Sequence, residues 1–284
     1  LLLLGGGCST VANRSAARQI VDHLGIPVVL SLMAVDALPK SHPLRVGFIG
    51  SYGNRWANKA LGSADLLIVI GSRLDIRQTG SDLESFCADK QIWQIDIDKA
   101  ELGVRVKPYR ALCCSIHAAA NDLSRLPALP SPQKPVWSNQ IYSLRDQFPA
   151  VREYSAGPEE INPIHLLQMI SKRSVGICFY VTDVGQHQMW AAQSLGFNSG
   201  DRFITSGGMG AMGFGLPAAI GAAISSPLAT TVLISGDGSF QLNIQELETV
   251  VRNRLNLKIV LFNNQCHGMV RQFRESYFEG RKQS

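Results

Sequence analysis

The chain has 284 residues, of which 45% are hydrophobic and 17% charged, with a net charge of +5 at pH 7. That balance describes a globular protein with one large or two ordinary cores. It excludes a nucleic-acid surface, since no Lys/Arg cluster interleaves with aromatics, and the four opening leucines are too short for a signal peptide or a membrane span.

The six cysteines include no CxxC pair, and the neighbours Cys113 and Cys114 do not readily bridge, so reduced thiols in a cytoplasmic protein are expected. In chain order, residues 1–4 read as a strand running into the turn Gly5-Gly6-Gly7. Val11, Ala12, Ala16, Ile20, Val21 and Leu24 share one helical face, and Gly25 ends that helix. Residues 28–30, 64–70 and 92–97 read as further strands, the second leading into Gly71-Ser72-Arg73 and the third ending at Asp96-Ile97-Asp98. Strands alternating with helices predict a parallel, doubly wound sheet over 1–125. A glycine turn and an acidic residue at a later strand end suit a dinucleotide, although the strict G-x-G-x-x-G pattern is absent.

Four prolines within residues 126–135 predict a linker, so that 126–158 reads as a linker with a connecting helix. Helices are expected over 137–148 and 162–172, the second with Asn162 as N-cap and Pro163 in the first turn. A strand over 177–181 feeds Thr182-Asp183-Val184-Gly185, a glycine-rich turn occupies 207–215, and a helix starts at Leu216. A buried strand over 231–234 then ends in Gly236-Asp237-Gly238, whose glycines allow a sharp turn and close approach of a phosphate. A helix over 243–253 and a strand over 258–262 ending in Asn263-Asn264 follow. In a βαβ unit both strand ends open on one sheet edge. Asp237 and Asn264 are therefore expected side by side, offering oxygens to a Mg²⁺ that bridges a diphosphate.

The GDG…NN pair with a helix between resembles the cofactor signature of thiamine-diphosphate enzymes. The runs from Thr182 to Trp190, Thr205-Ser206-Gly207-Gly208, Met212 to Ala219 and Gly268-Met269-Val270 are similar to the acetolactate (acetohydroxyacid) synthase large-subunit group. The resemblance implies two α/β domains: a central FAD-type domain over 1–125 and a thiamine-diphosphate/Mg²⁺ domain over 159–284. It implies that Val184, Gly185, Gln186, His187, Gly210, Gly236, Gly238, Ser239, Gly268 and Met269 hold thiamine diphosphate, and that Met212 props it in a folded shape. Asp237, Asn264 and the backbone carbonyl of Cys266 would bind the metal. Arg77 would face a substrate carboxylate and Phe273 the second-substrate pocket. Gly6, Gly7, Leu32, Gly50, Tyr52, Gly71, Arg73, Asp75 and Asp96 would line FAD.

The implied activity is decarboxylation of pyruvate and transfer of the two-carbon unit to a second 2-keto acid, in branched-chain amino acid biosynthesis. The implied assembly is a homodimer or tetramer with sites between subunits, and a regulatory subunit is a further possible partner. The required glutamate belongs to an N-terminal domain for which this chain has no matching residue. With no opening Met and an end just past an aromatic segment, the chain reads as an internal piece of a longer protein. Departures stand at Gly50-Ser51-Tyr52-Gly53, Cys114-Ser115-Ile116, Gln265-Cys266-His267 and Phe273. They leave a non-synthase decarboxylase or acyltransferase, or a non-catalytic remnant, as the rival readings.

Overall fold

A computed structural model describes residues 1–127, 135–153, 157 and 160–281. The chain divides into two compact units, Leu1–Gly157 and Pro158–Ser284. Of the expected 126–158 connector, residues 128–134, 154–156 and 158 lie outside the described residues.

The first unit holds a six-stranded parallel sheet of β1 (Leu2–Leu4), β2 (Val28–Leu30), β3 (Arg45–Phe48), β4 (Leu66–Ile70), β5 (Gln91–Asp96) and β6 (Arg110–Cys113). The spatial order is β3-β2-β1-β4-β5-β6. Leu2, Leu3 and Leu4 are fully buried because β1 is central and covered on both faces. Helix α1 (Val11–Leu24) starts at Thr10, whose hydroxyl accepts from Asn13 N–H, and stops at Gly25 in the left-handed region. Ala16, Ala17, Ile20, Val21 and Leu24 of α1 join Leu2, Leu4, Val28 and Leu30 in one core cluster. The other helices are α2 (Arg55–Gly62), α3 (Ile76–Thr79), α4 (Leu83–Cys87), α5 (Ile116–Ser124), α6 (Pro135–Gln147) and α7 (Ala150–Glu153). The helix expected over 137–148 is thus α6. It packs beside α2, where the Arg55 guanidinium lies 4.3 Å from the Phe148 ring centroid. Strands β3 and β6 were not foreseen. The latter is a four-residue edge strand with every residue exposed, so it carries no apolar run.

The second unit holds β7 (Cys178–Thr182), β8 (Arg202–Thr205), β9 (Thr230–Gly236) and β10 (Leu257–Phe262), parallel in the order β10-β9-β7-β8. Its helices are α8 (Pro163–Arg173), α9 (Gln186–Ser194), α10 (Gly215–Ser225), α11 (Asp237–Gln241), α12 (Leu247–Arg252) and α13 (Gly268–Tyr277). Val181, Leu216, Ala219, Ile220 and Leu233 belong to one core cluster that seals α10 onto β7 and β9. The stretch expected as one helix over 243–253 is a 3₁₀ turn, Ile244–Glu246, followed by α12, and helix already begins at Asp237. Both units are α/β folds with doubly wound parallel sheets. No helix among the described residues is long and apolar enough to cross a membrane.

Candidate functional site

In the second sheet the chain reverses direction across the strand order between β7 and β9. A crevice opens at such a switch point, beyond the carboxyl ends of the strands. A cavity of about 170 Å³ lies there, walled by Val184, Gly185, Gln186 and His187 after β7 and by Gly236, Asp237, Gly238 and Ser239 after β9. Asn264, Cys266, Gly268 and Met269 after β10 close a third side, and Gly210 and Met212 a fourth. Trp190, Phe262, His267 and Val270 also line it, and the sequence analysis gave them no role at the site. Phe273 does not. It lies one turn further along α13, 55% exposed, with its ring 4.9 Å from Tyr277 and 5.7 Å from Phe278.

Asp183 organises this cavity, and no local pattern announces it. Its carboxylate is 1% exposed and accepts from Val184 N–H at 2.7 Å, Gly213 N–H at 3.0 Å and Gly215 N–H at 2.7 Å. Helix α10 has no side-chain cap of its own at Phe214. The carboxylate from the end of β7 performs that task across 32 residues and places a negative charge at the helix's positive end. The turn carrying Met212 is thereby tied to β7. Asn243 Nδ2 donates to Gly213 O at 2.7 Å from the other side.

The glycines of the cavity admit neighbouring side chains. A Cβ on Gly236 would lie 3.0 Å from His187 Nδ1, one on Gly238 2.6 Å from His267 Cε1, and one on Gly268 2.0 Å from Gln186 Oε1. Gln186 Oε1 also accepts from Asn264 Nδ2 at 3.3 Å, linking the strand ends of β7 and β10. Asn264 Oδ1 accepts from Cys266 N–H and Asn263 Oδ1 from Gln265 N–H, two consecutive turns that hold Gln265 at φ 56°. The Ser239 hydroxyl donates to Val184 O at 3.0 Å, so its hydrogen is spent inside the protein and only its backbone N–H remains for a ligand.

His187 is buried, and burial pushes its imidazole down to about 4 despite the opposing carboxylates of Asp183 and Asp237. The ring is therefore neutral at pH 7. Its Nε2 is buried with no hydrogen-bond partner among the described residues. A buried polar atom without a partner is costly, and His187 is one of the residues lining the cavity. The donor set suits a phosphorylated ligand with a hard cation. Asp237 supplies charge and Asn264 a neutral oxygen, and α9 opens its first amides into the cavity. Among the described residues no three His, Cys, Asp or Glu side chains cluster to hold a metal by themselves. A Mg²⁺ here would have to take its remaining oxygens from ligand and water, as that ion commonly does.

In the first unit the expected FAD residues fall in two places. Gly7, Gly71 and Asp96 border a crevice of about 80 Å³ with Asn13 and Cys114. Gly50 borders another, about 440 Å³ and more open, with Ser51, Asn58 and Lys90. Gly6, Leu32, Tyr52, Arg73, Asp75 and Arg77 border neither. β3 and β5 are four steps apart in the sheet, or roughly 19 Å at about 4.8 Å per step, so a ligand touching Gly50 and Asp96 must lie extended across the strand ends. The glycine turns have their own structural reason. A Cβ on Gly5 would sit 2.2 Å from Gly71 O, and one on Gly71 2.8 Å from Gly7 Cα. In the GSRLDIR turn, Leu74 is buried at φ 52°, which projects Arg73 and Asp75 outward as a pair 3.7 Å apart. Arg77 N–H donates to Asp75 Oδ1, and Arg77 O accepts from Ser51 N–H. Arg14 of α1 is buried in an ion pair with Asp36, so its charge is already matched within the fold.

Family comparisons agree with this layout. Residues 1–123 match the thiamine pyrophosphate enzyme central domain, and residues 183–284 the thiamine pyrophosphate enzyme C-terminal TPP binding domain. The chain is 38% identical to acetolactate synthase isozyme 1 large subunit of Escherichia coli (strain K12), over 98% of this chain and 48% of that protein. It is 40% identical to the isozyme 2 large subunit of the same organism, over 99% and 50%, and 38% identical to chloroplastic acetolactate synthase 1 of Oryza sativa subsp. japonica, over 99% and 44%. The chain thus spans about half the length of the curated relatives it matches. With both family domains present in order and these matches covering almost the whole chain, the chain belongs to the thiamine pyrophosphate enzymes and is homologous to acetolactate synthase large subunits.

Proposed function

We propose that the protein is an acetolactate-synthase-like carboligase that decarboxylates pyruvate and joins the two-carbon unit to a second 2-keto acid. The observation that carries this is the meeting, in one cavity, of Asp237, Asn264, Met212 and the unpartnered Nε2 of His187. When bound, thiamine diphosphate supplies the carbanion chemistry that removes CO₂. The chain's own residues bind and orient. Asp237, Asn264 and the Cys266 carbonyl would hold Mg²⁺ beside a diphosphate. The neutral His187 ring packs on the inner side of the turn, Gly236 and Gly238 keep the backbone close, and Met212 would brace the cofactor from the turn that Asp183 anchors. Arg77 meets the substrate carboxylate with its planar fork, and Phe273 forms an apolar wall for the second substrate.

The cavity's 170 Å³ is below the roughly 300–1,000 Å³ of a complete small-molecule site. This supports a site completed by another subunit in a homodimer or tetramer, with a glutamate contributed from there. A regulatory subunit and a cytoplasmic setting remain part of the reading. FAD would lie extended along the first sheet's carboxyl edge in residues 1–125, with 126–158 as connector and 159–284 as the thiamine-diphosphate domain. A yellow purified protein that loses colour in Arg73→Ala tests the flavin.

Product analysis tests the activity. With pyruvate, thiamine diphosphate and Mg²⁺, the full-length protein should form acetolactate. Acetaldehyde alone would move it to the decarboxylases, and no turnover despite cofactor binding to the remnant reading. Acetolactate should also dominate over acetohydroxybutyrate when pyruvate and 2-ketobutyrate compete, and Phe273→Trp should raise the latter. One methylene in an apolar pocket is worth about 10–200-fold at most.

A further inference from the structure

Two imidazoles bracket the turn that carries Asp237. His187 packs on Gly236 from inside the fold and His267 packs on Gly238 from the solvent side. The His267 backbone is held in place, because its carbonyl accepts from Arg271 N–H at 2.9 Å as α13 begins. Its ring occupies the space that a side chain at 238 would fill, with Cε1 2.6 Å and Nδ1 2.9 Å from that Cβ position. A side chain at 238 would have to displace the ring from this position. The ring borders the cavity and makes no hydrogen bond among the described residues.

Charge balance asks for such a group. Among the described residues lining the cavity there is no lysine or arginine, and the one acidic side chain, Asp237, adds negative charge. A diphosphate there has its cation, backbone amides and side-chain donors to satisfy its oxygens. His187 is buried against Gly236 on the inner side of the turn.

We infer that His267 is a second imidazole ligand of the diphosphate, donating an N–H to a phosphate oxygen on the solvent side of Asp237. This assignment rests on the thiamine-diphosphate reading above and goes beyond it, because it adds a residue from the Gln265-Cys266-His267 segment that departs from the family's usual run.

The experiment is calorimetric titration of the full-length protein with three probes: thiamine diphosphate with Mg²⁺, thiamine monophosphate with Mg²⁺, and thiamine. The variants are His267→Leu and His267→Gln, the second retaining an N–H donor. A hydrogen bond to a charged group corresponds to about 10-fold to 100-fold in affinity. His267→Leu should weaken thiamine diphosphate by at least about 10-fold and leave thiamine unchanged, and His267→Gln should restore most of the loss. Three results overturn the assignment: unchanged or tighter diphosphate binding by His267→Leu, equal losses for thiamine and thiamine diphosphate, or failure of the Gln variant to differ from Leu while both keep the wild-type circular dichroism. Absence of diphosphate binding to the wild type is a different failure. It removes the parent reading, and the His267 assignment with it.

Discussion

Replacing Asp183 by Asn changes one oxygen into an NH₂ group and removes a charge, with almost no change in volume. In the native site Oδ1 accepts from Val184 and Gly213, and Oδ2 from Gly215 at the start of α10. With Asn, the oxygen can keep the first two bonds at neutral strength. The new NH₂ then faces the Gly215 N–H, donor against donor. A hydrogen bond to a charged group contributes about 1.5–3 kcal/mol and a neutral one about 1, and a buried donor left unpaired costs about 1–3 kcal/mol. Loss of the carboxylate at the helix start adds up to about 1 kcal/mol. The expected destabilisation of the 207–220 segment is therefore about 3 kcal/mol. It should appear locally, because Asp183 holds a turn and a helix end rather than a core layer. Hydrogen-exchange mass spectrometry over peptides spanning 207–220 should show protection falling by about 100-fold, at about 1.4 kcal/mol per decade. Thiamine-diphosphate affinity should fall with it, because Met212 loses its anchor. Wild-type protection of Gly213 and Gly215 in Asp183→Asn would refute the reasoning, whatever happened to activity.

Asp237→Ala should abolish Mg²⁺-dependent thiamine-diphosphate binding, a loss of several kcal/mol, about 3–5 by analogy with a broken buried ion pair; calorimetry with and without chelator checks it, and an unchanged affinity would remove the metal assignment. Gly71→Ala adds a Cβ 2.8 Å from Gly7 Cα at a backbone φ of 61°, so the first unit should lose about 3 kcal/mol on thermal unfolding. Gly62→Ala, with nothing within 4 Å at the end of α2, should be neutral or slightly stabilising by about 0.5 kcal/mol. Burial pushes the Cys8 thiol up to about 12 from an ordinary 9.0. The folded state keeps it neutral while the unfolded chain ionises, so its contribution is intact below pH 9 and is lost as pH rises towards 12, by about 4 kcal/mol at 1.36 per unit. Wild type and Cys8→Ala compared by urea unfolding across that window should converge if this is right, and a constant gap would show that Cys8 does not titrate there.

Local pattern was enough for much of this molecule. Buried parallel strands need continuous apolar runs, and β1, β4, β7 and β9 have them, so they stand out from the sequence. Asn162 before α8 and Gly25 after α1 are caps whose chemistry is local. The pairing of Gly236-Asp237-Gly238 with Asn263-Asn264 was legible because a βαβ unit brings successive strand ends to one edge by topology alone. Edge strand β6 was not legible, since an exposed strand needs no apolar run.

Only the folded chain decided the rest. Asp183 acts on Gly213 and Gly215, about 30 residues away, and no spacing rule links a strand end to the cap of a helix beyond the next strand. The three glycines after β1 look made for a dinucleotide, but Gly5 and Gly7 are required by Gly71, which reaches them only when β1 and β4 pair. Phe273 sits one turn past the residues lining the cavity, where its ring packs on Tyr277 and on Phe278 just beyond the end of α13. Sequence determines what a residue can do within a turn or two of itself; which distant backbone it meets depends on the sheet order, and that is set by the packing of both faces at once.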